Sequence, residues 1–387
     1  MTDPDPGAPG HDRYLATTRF GSLDGLRFVC IAAVLWHHAP VWHGPAGASV
    51  LATRGFLGVD FFFVISGFLI TTLLVRERPR GGRFSLRGFY WRRALRILPV
   101  YVLVVTAIAA YYVVVRGETR YLELLPFYYL FLSNFLVEHV PMLAPTWSLS
   151  VEEQFYLLWP LALGALPPRA LLWVLPALVA LNVVAVTGAL RPLGVAPVEA
   201  GPLRFALFNA TYAPILMGAW LALALDGARG HALLAPLLGR RWSPAAAFAA
   251  LGALLVVLPR DLVGLPNLLV HASMTLALAT VVLREDHVLR PVLAWRPIAR
   301  VGEVSYGIYL YHLIALFAAT RAMEAVGLGA AGDGGAWGWA LLAAYSALSV
   351  AIAEASFRLY ESPFLALRHR PWRRAPDAAE TRLEVRS

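Results

Sequence analysis

Lysine is missing altogether from this 387-residue sequence, so its 33 basic residues are all arginine, set against 24 acidic ones. Charge of either sign is scarce, at 15% of residues, where a soluble domain carries about 25%. With a single cysteine, Cys30, neither an intramolecular disulfide nor a cysteine-built metal cage can form. Three catalytic signatures are also missing: the GxxxxGK[ST] phosphate loop, the HExxH zinc pair and the GxSxG nucleophile elbow. NTPase, zinc-protease and serine-hydrolase readings therefore have nothing to stand on. Residues 1–20 lack the basic start and apolar core of a signal peptide and read as a disordered lead. There is no internal repeat and no inverted pair of Gly/Pro-broken helices of the kind transporters use.

Apolar length is what the chain has in excess. Hydrophobic residues make up 59% of it and the mean hydropathy is +0.62, so lipid is the expected solvent. Runs of spanning or near-spanning length occupy Arg27–His43, Leu57–Val75, Ile97–Val115, Val151–Leu166, Ala170–Ala189, Leu203–Leu225, Pro244–Leu258, Leu265–Leu283, Val304–Val326 and Trp337–Leu359. An eleventh, Leu122–Val137, is interrupted by Pro126, Ser133 and Asn134. The net charge of +9 does not point to nucleic acid, because the arginines cluster between apolar runs, at Arg76–Arg96, Arg229–Arg241, Arg284–Arg300 and Arg368–Arg374. The positive-inside rule puts all four clusters in the cytoplasm. That requires Leu122–Val137 to enter and leave on one side. The expected fold is thus all-α: a polytopic membrane helix bundle of about ten transmembrane helices plus one re-entrant or interfacial segment, with both termini cytoplasmic. Its expected division is a lead at 1–20, a transmembrane body at 21–364 and a basic cytoplasmic tail at 365–387.

Ionisable residues inside such a bundle are costly and mark candidate sites. The first group is Asp24 and Arg27, with His37 and His38 deeper in the first run. Arg27 and His38 are eleven positions apart, about 1100° of helix, so they share one face at a separation of ~16 Å along the axis. Asp24 lies one turn before Arg27 and can pair with it. From helix geometry alone, Arg27 could equally snorkel to one interface while the histidines mark the other. Further motifs follow. They are GVDFFFVISGFLI at Gly58–Ile70, RRALRILP at Arg92–Pro99, TWSLSVEEQFY at Thr146–Tyr156 and SYGIYLYH at Ser305–His312. Ser150 and Glu153 match a helix-capping box, which leaves Glu152 as the acid without a structural reason.

Taken in this order, the segments resemble the acyltransferase-3 family of bacterial membrane O-acyltransferases, which includes O-antigen acetylases and macrolide acyltransferases. The likeness runs from about Ser22 to Phe364. Its most specific element is the Arg followed after ten residues by a His, here Arg27 and His38. The resemblance implies a bundle in the bacterial plasma membrane that moves an acyl group, acetyl being the expected one, from cytoplasmic acyl-coenzyme A to a hydroxyl of a sugar, glycolipid or macrolide. Some relatives append an esterase-like domain; this chain looks like the membrane-only form. Acyl-coenzyme A is then a donor substrate, and no resident cofactor or metal is implied.

Joined to residue chemistry, the resemblance assigns roles. Neutral imidazole is matched to taking a hydroxyl proton near pH 7, which makes His38 the candidate general base. Guanidinium supplies permanent charge for an oxyanion and for phosphates, which makes Arg27 catalytic and Arg93 and Arg96 donor-binding candidates. Glu152 is expected to orient His38 or bind the acceptor, its plain alternative being a helix-dipole partner. Asp60, Ser66, Trp147, Ser305 and His312 are expected substrate contacts, with Asp60 free to pair with an arginine; His312 could also belong to an interfacial aromatic belt. A transporter or flippase of a lipid-linked or small polar substrate is the rival from another class, and a sensor or assembly scaffold the third.

Overall fold

In the computed structural model each of the ten apolar runs carries a helix, and the described residues, 10–40, 52–77, 84–194, 197–205, 212–259, 261–328 and 336–369, are predominantly helical. In chain order the helices are α1 Gly10–Ala16, α2 Leu23–His38, α3 Leu57–Arg76, α4 Leu86–Ala110, α5 Leu125–Tyr129, α6 Thr146–Ala165, α7 Pro168–Val186 and α8 Ala213–Asp226. They continue as α9 Ala228–Leu238, α10 Ser243–Val257, α11 Leu265–Val282, α12 Arg290–Leu293, α13 Arg296–Glu303, α14 Ser305–Ala325, α15 Ala336–Ser356 and α16 Ser362–Ala366. α4 and α15 run on into π-helical turns at Tyr111–Val115 and Phe357–Glu361.

The expected count of ten crossings is not reached by length and composition. Among the described residues five helices are long and apolar enough to cross a bilayer, or seven if α8 with α9 and α13 with α14, bent by 103° and 75°, each count as one span. The shortfall has physical causes. α2, α8 and α10 are 16, 14 and 15 residues long, against the ~20 that a span needs. α6 is long enough but carries Glu152, Glu153 and Gln154 in its second and third turns.

Two local expectations also change. The run Leu203–Leu225 starts as a strand, because Leu203–Phe205 pairs antiparallel with Val198–Ala200 and Arg204 meets Glu199 at 3.0 Å; its helix starts only at Ala213. Within the lead, residues 10–16 form α1, which sets Tyr14 and His11 against His231 of α9. Most of the expected tail, from residue 370, lies outside the described residues.

Segment Leu122–Val137 forms no continuous helix. It comprises a 3-10 turn, the five residues of α5, a left-handed turn at Phe131 (φ 54°) and a second 3-10 turn at Ser133–Phe135. Buried backbone outside a regular helix must find partners within the protein. Side chains of α4 and α6 provide them: Tyr101 donates to the Tyr128 carbonyl at 2.8 Å, Ser150 accepts from the Ser133 amide at 3.2 Å, and Gln154 donates to the Phe131 carbonyl at 2.8 Å.

Small residues set the tightest crossings. α3 and α8 pack reciprocally, since a Cβ on Gly67 would lie 2.0 Å from the Ile215 carbonyl and one on Gly218 would lie 2.0 Å from that of Val64. The glycine of the VISGF motif is thereby explained by packing. α2 is held by α13 in the same way, with Gly302 against the Asp24 carbonyl.

The start of α2 is also pinned by the turn after α11. His287 meets the Ser22 hydroxyl at 3.1 Å, and Glu285 accepts from the Gly21 amide at 3.2 Å. Burial raises the Glu285 carboxyl above its usual range, and burial with Arg290 nearby lowers the His287 imidazole.

Candidate functional site

Helical spacing assembles one large cavity, of about 600 Å³, between α2, α3, α4, α6 and α14. On α3 its wall includes the stripe Val59, Phe62, Ser66, Leu69 and Leu73, one helix face repeating at i+3 and i+4. On α6 the same periodicity brings Ser148, Glu152 and Tyr156 inward, and on α14 it brings Ser305 and Tyr309. The cavity belongs to the end of the bundle where α2 begins and α3 ends, an end tied together by Arg76 donating to the Tyr14 carbonyl at 3.0 Å.

Charge is concentrated there. Arg27, Arg76, Arg92, Arg93 and Arg96 line the cavity together with Asp24, Glu152 and Glu153. Arg27 donates to Asp24 at 2.9 Å, the pairing that its spacing predicts. Ser66 donates to Glu152 at 2.7 Å. The Arg93 guanidinium sits 4.6 Å from the centre of the Tyr156 ring, a cation–π contact. Arg96, midway along α4, opens into this cavity.

Of the residues singled out in the sequence, Arg27, Ser66, Arg93, Arg96, Glu152 and Ser305 all line this one space. Glu153 lines it too, against the expectation that it caps a helix. α6 begins at Thr146 behind Pro145, so Ser150 is already inside the helix and bonds the Thr146 carbonyl and Ser133 rather than capping. Trp147 packs edge-on against Phe63, with ring centres 6.0 Å apart. Among the described residues Asp60 pairs with no arginine; it meets Nε2 of the buried His271 at 3.2 Å, a partner 211 residues away that no local pattern announces.

His38 and His312 do not line the large cavity. They meet each other, edge to face, with ring centres 4.7 Å apart. His38 sits with Nδ1 2.9 Å from the Val34 carbonyl, so Glu152 does not orient it; Glu152 is engaged by Ser66 instead. A carbonyl accepts, so Nδ1 of His38 carries the proton and Nε2 is left as the basic nitrogen.

Between the two groups stands Tyr309. It lines the large cavity on one side and, with His312, a small void on the other. Its hydroxyl donates to the Pro145 carbonyl at 2.8 Å and lies 2.7 Å from the Ser148 hydroxyl. The periodicity of Ser305, Tyr309 and His312, at i, i+4 and i+7, was the available signal for this wall.

Known proteins resemble the chain in sequence. A family model described as an acyltransferase domain matches residues 20–354. Putative peptidoglycan O-acetyltransferase YrhL of Bacillus subtilis is 30% identical over 339 residues, which are 81% of this chain and 50% of that protein. Peptidoglycan O-acetyltransferase OatA of Listeria monocytogenes is 32% identical over 163 residues, 37% of this chain and 25% of its own length. O-acetyltransferase OatA of Staphylococcus aureus is likewise 32% identical over 163 residues, 38% of this chain and 25% of its own. The matched stretches thus span between a quarter and a half of the length of these curated relatives. No solved structure matches the chain.

Proposed function

The chain belongs to the acyltransferase-3 family, whose domain it matches over residues 20–354, and from that premise we propose that it is a membrane O-acyltransferase taking an acetyl group from acyl-coenzyme A to a carbohydrate hydroxyl. The observation that carries this reading is the pairing of an arginine-lined cavity of about 600 Å³ with an imidazole whose Nε2 is free to take a proton. That volume is in the range of small-molecule sites. The helices of the ten apolar runs each cross the membrane, the short ones where the bundle thins it, with the arginine end and both termini in the cytoplasm.

In this reading the donor's phosphates meet Arg92, Arg93 and Arg96, which are permanently charged and can form bidentate contacts. Arg27, oriented by Asp24, adds to the same grip. It lies ~16 Å from His38 along the helix axis, so it steadies the charge of the donor rather than the oxygen of the reacting carbonyl. The pantetheine arm runs along the apolar stripe of α3 and past Tyr309. The acceptor hydroxyl gives its proton to Nε2 of His38 as its oxygen attacks the thioester carbonyl carbon. The carbon–sulfur bond breaks, and the departing thiolate recovers the proton from His38. Glu152, held by Ser66, offsets repulsion within the arginine cluster. Peptidoglycan is the acceptor that the names of the relatives suggest.

The test is label transfer from radiolabelled acetyl-coenzyme A to glycan by the purified protein and its His38→Ala variant. His38-dependent labelling supports the reading. Equal labelling by a folded His38→Ala variant removes His38 as the base.

A further inference from the structure

His312 is 1% exposed, and its Nε2 is a buried polar atom with no hydrogen-bond partner among the described residues. A buried acceptor left bare is destabilising, so it needs a reason. Its other nitrogen is committed, because Nδ1 lies 2.6 Å from the Tyr309 carbonyl one turn back. A carbonyl only accepts, so Nδ1 bears the proton and Nε2 is a bare acceptor. His38 is in the same state, with Nδ1 at the Val34 carbonyl and its ring 4.7 Å from that of His312. Two neighbouring imidazoles from α2 and α14 are thus each locked by their own helix through Nδ1, and among the described residues Nε2 of His312 has no partner.

A trapped water is a poor explanation for the bare nitrogen. The void that His312 lines is about 10 Å³, at the lower limit for one water. Its other walls are Val104, Met142, Leu143, Pro145 and Leu310, and its one hydroxyl besides Tyr309, that of Thr146, already donates to the Leu143 carbonyl at 2.7 Å. Both hydroxyls of its wall, those of Tyr309 and Thr146, already donate to the Pro145 and Leu143 carbonyls. His38, the neighbour of His312, is only half-buried.

We infer that His312 is a second acceptor-side residue: its Nε2 receives a hydrogen bond from a second O–H or N–H group of the same molecule whose hydroxyl gives its proton to His38. Two bare acceptors side by side select a molecule with two donors. The substrate class is therefore a saccharide unit carrying a second hydroxyl or an acetamido N–H beside the acylated hydroxyl, and a simple alcohol satisfies only one of the two nitrogens. The inference rests on the acyltransferase reading for the role of His38, but the binding of such a unit can be measured without turnover.

The experiment compares the full chain in detergent with His312→Phe, which keeps the ring and loses both nitrogens, and with His312→Gln, whose Oε1 restores an acceptor. Acceptor probes are the methyl glycoside of N-acetylglucosamine and the mono-alcohol cyclohexylmethanol. One lost hydrogen bond predicts that His312→Phe lowers kcat/KM for the glycoside about ten-fold and removes its preference over the mono-alcohol, with the KM for acetyl-coenzyme A unchanged. His312→Gln should recover part of that preference. In parallel, thermal stabilisation by the glycoside should be present in the wild type and absent in His312→Phe, while stabilisation by coenzyme A persists in both. A preference or stabilisation equal in wild type and His312→Phe overturns the inference, as does a wild type that the glycoside neither stabilises nor uses. His312-dependent stabilisation without any label transfer would leave the inference standing and sink the acyltransferase reading instead.

Discussion

At one end of this site seven arginines of the cavity wall, among them Arg27, Arg93 and Arg96, face carboxylates in a space of about 600 Å³. At the other, His38 and His312 face each other beside a void of about 10 Å³ with no carboxylate among its lining residues. The first suits a large polyanion, because fixed guanidinium charges in a cavity hold phosphates without titrating. The second suits proton transfer, since each imidazole has its Nδ1 committed to a carbonyl of its own helix and presents Nε2 as the acceptor. Keeping these environments apart lets one protein bind a strongly anionic donor and still keep a neutral base. Tyr309 is the wall that separates them.

The largest expected effect comes from removing the proton acceptor. His38→Ala should lower the rate of label transfer by about 10²–10⁴-fold, the usual contribution of a general base, while coenzyme A still raises thermal stability. If stabilisation by coenzyme A is lost as well, the two ends are not separate. Next is the arginine end. Arg96→Ala should raise the KM for acetyl-coenzyme A about ten- to a hundred-fold, the loss of one or two charge-assisted contacts, and leave acceptor KM unchanged; a change confined to kcat would place Arg96 in the chemistry instead. Arg96→Lys should not restore the affinity fully, since lysine cannot make the bidentate contact.

Tyr309→Phe sharpens the comparison at its boundary. It removes the bonds to Pro145 and Ser148, roughly 1 kcal/mol each, and keeps the ring. The wall should open more readily, which predicts a few-fold rise in acetyl-coenzyme A hydrolysis without acceptor, measured as free thiol released. Unchanged hydrolysis would mean that Tyr309 does not control passage between the two ends.

How much of this was legible in the sequence follows from how local each feature is. The cavity wall was largely legible, because Ser66, Glu152, Arg93 and Arg96 lie on helices whose faces follow from a period of 3.6. The pairing of Arg27 with Asp24 was legible for the same reason. The start of α6 was not. Ser150 and Glu153 have capping-box spacing, but the helix already begins at Thr146, directly behind Pro145, so Ser150 lies inside it and both Glu152 and Glu153 turn toward the cavity.

Long-range partners were not legible at all. Asp60 meets His271 across 211 positions, and His38 of α2 meets His312 of α14, so only folding brings each pair together. The number of crossings stayed out of reach for a different reason: α2, α8 and α10 are short apolar helices, and apolar length alone does not say whether such a helix spans.

The smallest effect tests how α2, which carries both Arg27 and His38, is held in place. His287 is buried at the Ser22 hydroxyl, and its pKa is lowered below the ordinary 6.5 by burial and by Arg290. Its contribution to stability is fully present above about pH 6.5 and is lost as pH falls, because the unfolded chain then binds a proton that the folded chain refuses. Glu285 acts in the opposite sense. Burial raises its pKa above the ordinary 4.5, so its contribution is full below that pH and declines as pH rises toward the raised value. The two groups therefore change stability with pH in opposite directions. Glu285→Gln should therefore expose the histidine: stability measured from pH 7 down to 5 should fall more steeply than in the wild type, by up to about 1.4 kcal/mol per pH unit for one group. Adding His287→Gln should flatten that slope again. A slope that persists in the double variant would move the pH sensitivity away from the turn that pins α2.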